Sequence, residues 1–303
     1  MAREKLPTST AIVSETELPS TKKSKRVSAK RVSLRVWLPA TTLLIFILAA
    51  ILGPIFMSYD GQMTLTDSRL LPPGSMRSDG QLALLGTDQV GRDVLSQVFQ
   101  GARVSLMVGL ATLISAGIIG SIIGIVAGYF GGVLDSIFMR LADIQLAFPS
   151  ILLAILIAAV LGPSVTNVII TLAVARWVIF ARVARSTALQ VRSQEFVQAG
   201  KLLGASRFRL LTRYIAPAGL SPLVVVATVE FGLVIIAEAS LSFLGLGTTD
   251  AMPSWGLIIA NGRNYVDTAW WISAMPGIAL ALVMIAIGVL GDTLRDRLDP
   301  ALR

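Results

Sequence analysis

Residues Glu195 to Pro217 read EFVQAGKLLGASRFRLLTRYIAP, a basic stretch caught between two apolar runs of membrane length. Lys201, Arg207, Arg209 and Arg213 are interleaved there with Phe196, Val197, Leu202, Leu203, Leu210 and Leu211. Gly204 divides the stretch. A glycine just past one short helix and Ser206 at the cap of the next predict a helix–turn–helix knuckle. Cations at this density mark a cytoplasmic connection between spans, and the apolar residues among them need a surface to cover them. Two readings stand at this point: the knuckle docks a soluble partner, or it rests as an amphipathic loop on anionic headgroups.

The rest of the chain agrees with a membrane setting. Hydrophobic residues make up 54% of it and charged ones only 15%, with a mean hydropathy of +0.75, which predicts an all-α integral membrane protein. A helix needs about 20 apolar residues to cross a bilayer, and six regions supply them: Val36–Met57, Val104–Phe130, Ile137–Leu161, Val165–Ala184, Ala218–Phe243 and Trp271–Gly291. The fourth is interrupted by Arg176 and Arg182. An even count puts both termini on one side.

Charge chooses the side. The first 35 residues, the loop after the fourth span and the C-terminus carry most of the cations, whereas residues 58–103 and 245–270 mix aspartates with arginines. The positive-inside rule therefore predicts cytoplasmic termini. The expected organisation is a disordered basic cytoplasmic tail over 1–35 and a transmembrane domain over 36–303. That domain includes an external segment at 58–103 and a cytoplasmic loop at 185–217. The formal charge of +8 thus belongs to the membrane surface, with no nucleic-acid partner implied.

Within the spans, Gly120, Gly124 and Gly128 lie four residues apart and predict a face for close helix packing. Glu230 and Glu238 fall in the fifth span, about 80° apart on the helix. Carboxylates at that depth are costly unless paired or facing water, which makes both candidates for function; Arg176 is the candidate counter-charge, and Arg182 is read as snorkelling. Glu238 also has a plainer reading near the outer end, simply reaching water or bonding to Ser240 or Ser242. Prolines 163 and 217 are read as helix terminators.

Catalytic chemistry is missing. There is no GxxxxGK[ST] phosphate loop, GxSxG elbow or HExxH, and no histidine or cysteine anywhere. No metal site, bound cofactor or enzymatic activity is expected, so energy for transport must come from a gradient or from another polypeptide.

Three stretches carry a resemblance. The first is LGTDQVGRDVL from Leu85 to Leu95, with Gly86, Thr87, Asp88, Gly91, Arg92 and Asp93, continuing through Gly101 to Leu106. The second is Asp135 to Pro149, with Arg140, Asp143 and an Ala147-Phe148-Pro149 turn. The third runs from Glu195 through Gly204 to Pro217, followed by EASLSFLGLG from Glu238 to Gly247. Together they make residues 34–303 resemble the permease subunits of bacterial ATP-binding-cassette (ABC) importers, specifically the C-type subunit of the dipeptide, oligopeptide and nickel group.

The resemblance implies a type I importer permease in the bacterial inner membrane. Its implied partners are a second permease subunit, two ATPase subunits that consume ATP, and an extracytoplasmic substrate-binding protein. It further makes the third stretch a coupling loop gripped by an ATPase. The family pattern there is Glu-Ala-Ala, a glycine four residues on, then Ile before Pro. Here those places hold Gln198-Ala199-Gly200, Gly204, and Ile215-Ala216-Pro217. Glycine for alanine at 200 costs about 1 kcal/mol of helix propensity. For the first stretch, the resemblance implies an external platform near the binding protein. The residues themselves predict a helix capped by Asp88 with an Asp88–Arg92 pair.

The function expected is import of di- or oligopeptides. Nickel or another small solute is the alternative within the class, and a secondary transporter coupled through Glu230 and Arg176 the alternative outside it.

Overall fold

The computed structural model describes residues 29–56 and 64–298. Among the described residues, five helices are long and apolar enough to cross a membrane: α1 (Ala29–Phe56), α2 (Val94–Phe130), α5 (Val165–Arg192), α8 (Ala216–Phe243) and α10 (Trp271–Leu298). Between α2 and α5 lie α3 (Gly132–Leu146) and α4 (Ser150–Leu161). Two short helices, α6 (Glu195–Leu202) and α7 (Arg207–Leu210), precede α8, and α9 (Trp255–Gly262) precedes α10. A small antiparallel hairpin, β1 (Ser75–Met76) with β2 (Leu82–Ala83), lies between α1 and α2.

Small residues set the central seam. A Cβ on Gly120, Gly124 or Gly128 of α2 would strike the backbone of α5, at the carbonyls of Trp177, Ala181 and Arg185 in turn. Three contact points four residues apart on each helix thus keep the two backbones together along this stretch, as the sequence predicts. A second core forms around Trp255 on α9, which is fully buried with Ile258, Ile235, Ile272 and Val283. Its indole Nε1 donates to the Val98 carbonyl at 3.0 Å, and Phe46 of α1 packs edge-on to its ring at 5.7 Å.

Several boundaries differ from expectation. The first helix begins at Ala29, so residues 29–35, assigned to the tail, are helical; residues 1–28 lie outside the described part. The second span starts at Val94 rather than Val104, because the Asp93 carboxylate caps it by accepting from Ser96 N–H at 2.7 Å. The fourth extends beyond Ala184 to Arg192, and the sixth beyond Gly291 to Leu298.

The third span is broken. α3 and α4 meet at 91° across Ala147-Phe148-Pro149, where Pro149 pushes Phe148 out of the helical region and supplies no N–H. The pair nevertheless tracks α5 from end to end. Asp135 bonds Arg185, Asp143 bonds Arg182, Gln145 bonds Trp177, and the Leu161 carbonyl accepts from Asn167. From Asn167 to Arg185 is about 27 Å of helix, close to the roughly 30 Å of a hydrocarbon core. The pair therefore crosses once as a bent span.

Pro217 does not end a helix, contrary to expectation. It occupies the first turn of α8, directly after a π-helical turn over Leu211–Ile215, in which Ala216 N–H reaches back to the Leu211 carbonyl. The wider turn accommodates the bonding lost at proline. Pro163 does fall between helices, α4 and α5.

Candidate functional site

The knuckle forms as its sequence predicts. α6 ends at Leu202, Gly204 takes φ +81°, and the Ser206 hydroxyl caps α7 by accepting from Arg209 N–H at 3.3 Å. The apolar residues divide into two sets. Val197, Leu210 and Ile215 are buried against the body of the protein, and Phe196 packs on Tyr214 at 5.8 Å between ring centres. Leu202, Leu203 and Phe208 stay 89%, 88% and 76% exposed. They form an apolar apex around the Gly204 turn, flanked by the exposed side chains of Glu195, Gln198, Ala199, Lys201, Arg207, Arg209 and Arg213. Gly200, the departure from the family pattern, has Leu210 3.4 Å from where a Cβ would stand.

Ion pairs brace the elements that carry this segment. Arg185 of α5 grips Asp135 of α3 through two nitrogens. Arg182, expected to snorkel, pairs with Asp143, with both side chains about half exposed or more. Arg192, at the end of α5, donates to the Gly128 carbonyl at 2.8 Å.

The two intramembrane carboxylates point to different neighbours. Glu230 is buried and meets Arg176 at 3.4 Å, so the predicted counter-charge is its partner. It also lines a largely apolar cavity of about 730 Å³ between α5, α8 and α10, with Arg295 at its border. Glu238 is fully sealed from solvent. It accepts from Ser242 at 2.7 Å and Ser105 at 3.1 Å. Each hydroxyl in turn accepts a backbone N–H, from Thr248 and Trp255 respectively. Glu238 thus ties α2, α8 and the start of α9 into one satisfied network. Ser240 bonds the Ile236 carbonyl instead. Ser105 carries no sequence signal of this role, since hydroxyl residues are common in loops and helices alike.

The first family stretch is built inward. Asp88 does not cap a helix; its carboxylate closes its own turn, accepting from Val90 and Arg92 N–H at 2.9 and 2.8 Å and from the Gln97 amide at 3.0 Å. The expected Asp88 cap belongs to Asp93, because Gly91 at φ +86° bars a helix from starting earlier. Thr87 donates to the Ser68 carbonyl and accepts from Leu71 N–H, while its own carbonyl takes the Trp271 indole at 3.1 Å. Gly86, at φ +81°, leaves room for that indole and for the Leu71 carbonyl. Burial pushes the carboxyls of Asp88 and Asp93 above their ordinary value, against the pull of the N–H groups around them. These side chains hold the platform onto α2 and α10.

The sequence profile for the binding-protein-dependent transport system inner membrane component covers residues 120–303. The chain belongs to that family. It is a permease of the bacterial inner membrane and not a catalytic enzyme. A putative peptide transport system permease protein of Brucella suis biovar 1 is 43% identical to this permease, over 98% of this chain and 97% of that one. The probable D,D-dipeptide transport system permease protein of Escherichia coli K12 is 40% identical, over 86% of each. The di/tripeptide transport system permease protein of Pseudomonas aeruginosa is 38% identical, also over 86% of each. A solved inward-facing form of the MetNI methionine ABC transporter aligns with TM-score 0.52 and 17% identity, over 68% of this permease and 96% of that chain, a likeness of fold.

Proposed function

We propose that this permease moves di- or oligopeptides inward, driven by separate ATPase subunits that grip the knuckle. The observation carrying the proposal is the exposed apex of Leu202, Leu203 and Phe208. Burying such side chains is worth about 1.5–3 kcal/mol each. Attraction of a cation to headgroups is worth about 1 kcal/mol. Either a protein groove or the acyl boundary supplies that burial, and membership of a multi-component transport family favours the protein groove as the cover for this apex. The peptide cargo follows from the printed names of the relatives.

In this reading the termini and the knuckle are cytoplasmic, ATP binds only to the partners, and a second permease completes the pathway. An extracytoplasmic binding protein delivers cargo at the platform end. Gly204, Ser206 and the π turn make the knuckle a stiff lever. Nucleotide state shifts the membrane part only through contacts that differ between ATPase states. The secondary-transporter alternative has less support, because Glu230 is held by Arg176 and Glu238 by two hydroxyls.

Dipeptide uptake into cells carrying Leu202→Ser/Leu203→Ser, or Gly204→Pro, tests the proposal. Proline cannot adopt the positive φ of Gly204. Uptake and co-purification of the ATPases are expected to fall at least tenfold with membrane insertion unchanged. Uptake that persists without ATP and collapses with the proton gradient would reject the proposal.

A further inference from the structure

The inner side of the knuckle holds a second feature. Between the ends of α2 and α5 and the body of α6–α7 lies a cavity of about 410 Å³ lined by Tyr129, Phe130, Arg192, Gln198, Lys201 and Arg207. Three of these side chains are cations. Among the described residues none of the three stands in an ion pair, in contrast to Arg77 with Asp79, Arg176 with Glu230, Arg182 with Asp143 and Arg185 with Asp135. Arg192 spends a single nitrogen, Nη1, on the carbonyls of Gly128 and Tyr129, which leaves donors on the rest of its guanidinium. Arg207 lies over the Phe130 ring at 5.9 Å. The Lys201 ammonium has no hydrogen-bond partner among the described residues.

Three like charges around one concavity repel one another unless an anion sits among them. The surroundings indicate its source. Phe130 and, in the first turn of α3, Val133 and Leu134 are exposed apolar side chains, so one rim of the cavity is suited to acyl chains. Lys201 and Arg207, both exposed, line the same cavity, with Arg207 stacked on Phe130. A basic pocket at an apolar–polar boundary matches a lipid headgroup better than a freely diffusing ion.

We infer that this cavity takes the phosphodiester of an anionic phospholipid, held by Arg192, Lys201 and Arg207. The lipid links the end of α5 to both knuckle helices and fastens the base of the lever to the membrane surface. The two readings of the knuckle open in its sequence then apply to opposite faces, the apex to a protein and the inner side to lipid. The lipid site needs no ATPase, so its test is independent of the coupling proposal.

The full chain, purified in neutral detergent and offered phosphatidylglycerol or phosphatidylcholine, is weighed by native mass spectrometry. Selective retention of phosphatidylglycerol is expected. Lys201→Gln and Arg192→Gln should each weaken it about fivefold, Lys201→Arg should restore it, and Arg140→Gln, an exposed cation on α3 outside the lining, should leave it unchanged. Because Arg192 also holds a backbone carbonyl, the Lys201 pair of variants separates binding from folding. Equal retention of both lipids, or wild-type retention by Lys201→Gln and Arg192→Gln, would overturn the site. Displacement of the lipid by millimolar inorganic phosphate would overturn the lipid assignment in favour of a soluble anion.

Discussion

Glu230 and Arg176 meet at 3.4 Å with side chains 5% and 15% exposed, and each makes the other's burial tolerable. Removing one partner of a buried pair strands the other charge at a cost of about 3–5 kcal/mol, whereas replacing both by apolar residues is often close to neutral. Glu230→Gln is therefore expected to lower the thermal midpoint of the detergent-purified permease, and Arg176→Met/Glu230→Leu to recover most of the loss. A double variant whose loss is the sum of the two single ones would show that the pair is not coupled. This pair was legible in the sequence, because two opposite charges inside apolar runs have few other partners. The contacts of Glu238 were only half legible. Ser242 is one helical turn away, but Ser105 is on another helix, and no local pattern announces it. At Asp88 and Asp93 the sequence offered two capping residues before one helix, and the positive φ at Gly91 decided between them.

At the scale of elements, glycine spacing was the reliable signal. The α2–α5 seam follows from residues 120, 124 and 128 because a missing side chain has one strong use inside a membrane, letting another backbone approach. At Gly124 a side chain would run into the Ala181 carbonyl, while at Gly117 the nearest atoms, on the Phe180 ring, are 3.8 Å from a built Cβ. Gly124→Leu is thus expected to separate the helices and sharply reduce the yield of monodisperse protein, with Gly117→Ala close to wild type on size-exclusion chromatography. Similar losses for both would mean that the seam is not the constraint. Prolines were less legible, since their effect depends on the bonding around them. Pro149 breaks a span, Pro222 and Pro276 lie inside continuous helices, and Pro217 begins one after a π turn. The turn at Ala147-Phe148-Pro149 was legible through the resemblance, but its 91° size was not, because the run around it is apolar enough to read as one straight span.

At the scale of the whole molecule, contacts between distant residues fix which ends lie together. Phe46 meets Trp255 and Trp271 meets Thr87, so the end of α1 and the start of α10 share the platform end. Arg295 of α10 borders the cavity that Val183 and Ala218 line near the knuckle. Among the described residues, five unbroken helices and one bent span therefore bring the start of α1 and the end of α10 back to the knuckle end. Which face of the membrane that end occupies follows from charge, since Arg185, Arg192, Lys201, Arg207, Arg209 and Arg213 gather there. The absence of cysteine makes this testable without background. Leu203→Cys, at the apex, should react with a membrane-impermeant maleimide in inside-out vesicles and not in intact spheroplasts. Gln81→Cys, beside the hairpin of the platform, should do the reverse. The opposite labelling would put the knuckle outside the cell, out of reach of any ATP-consuming partner, and the coupling proposal would fail with it.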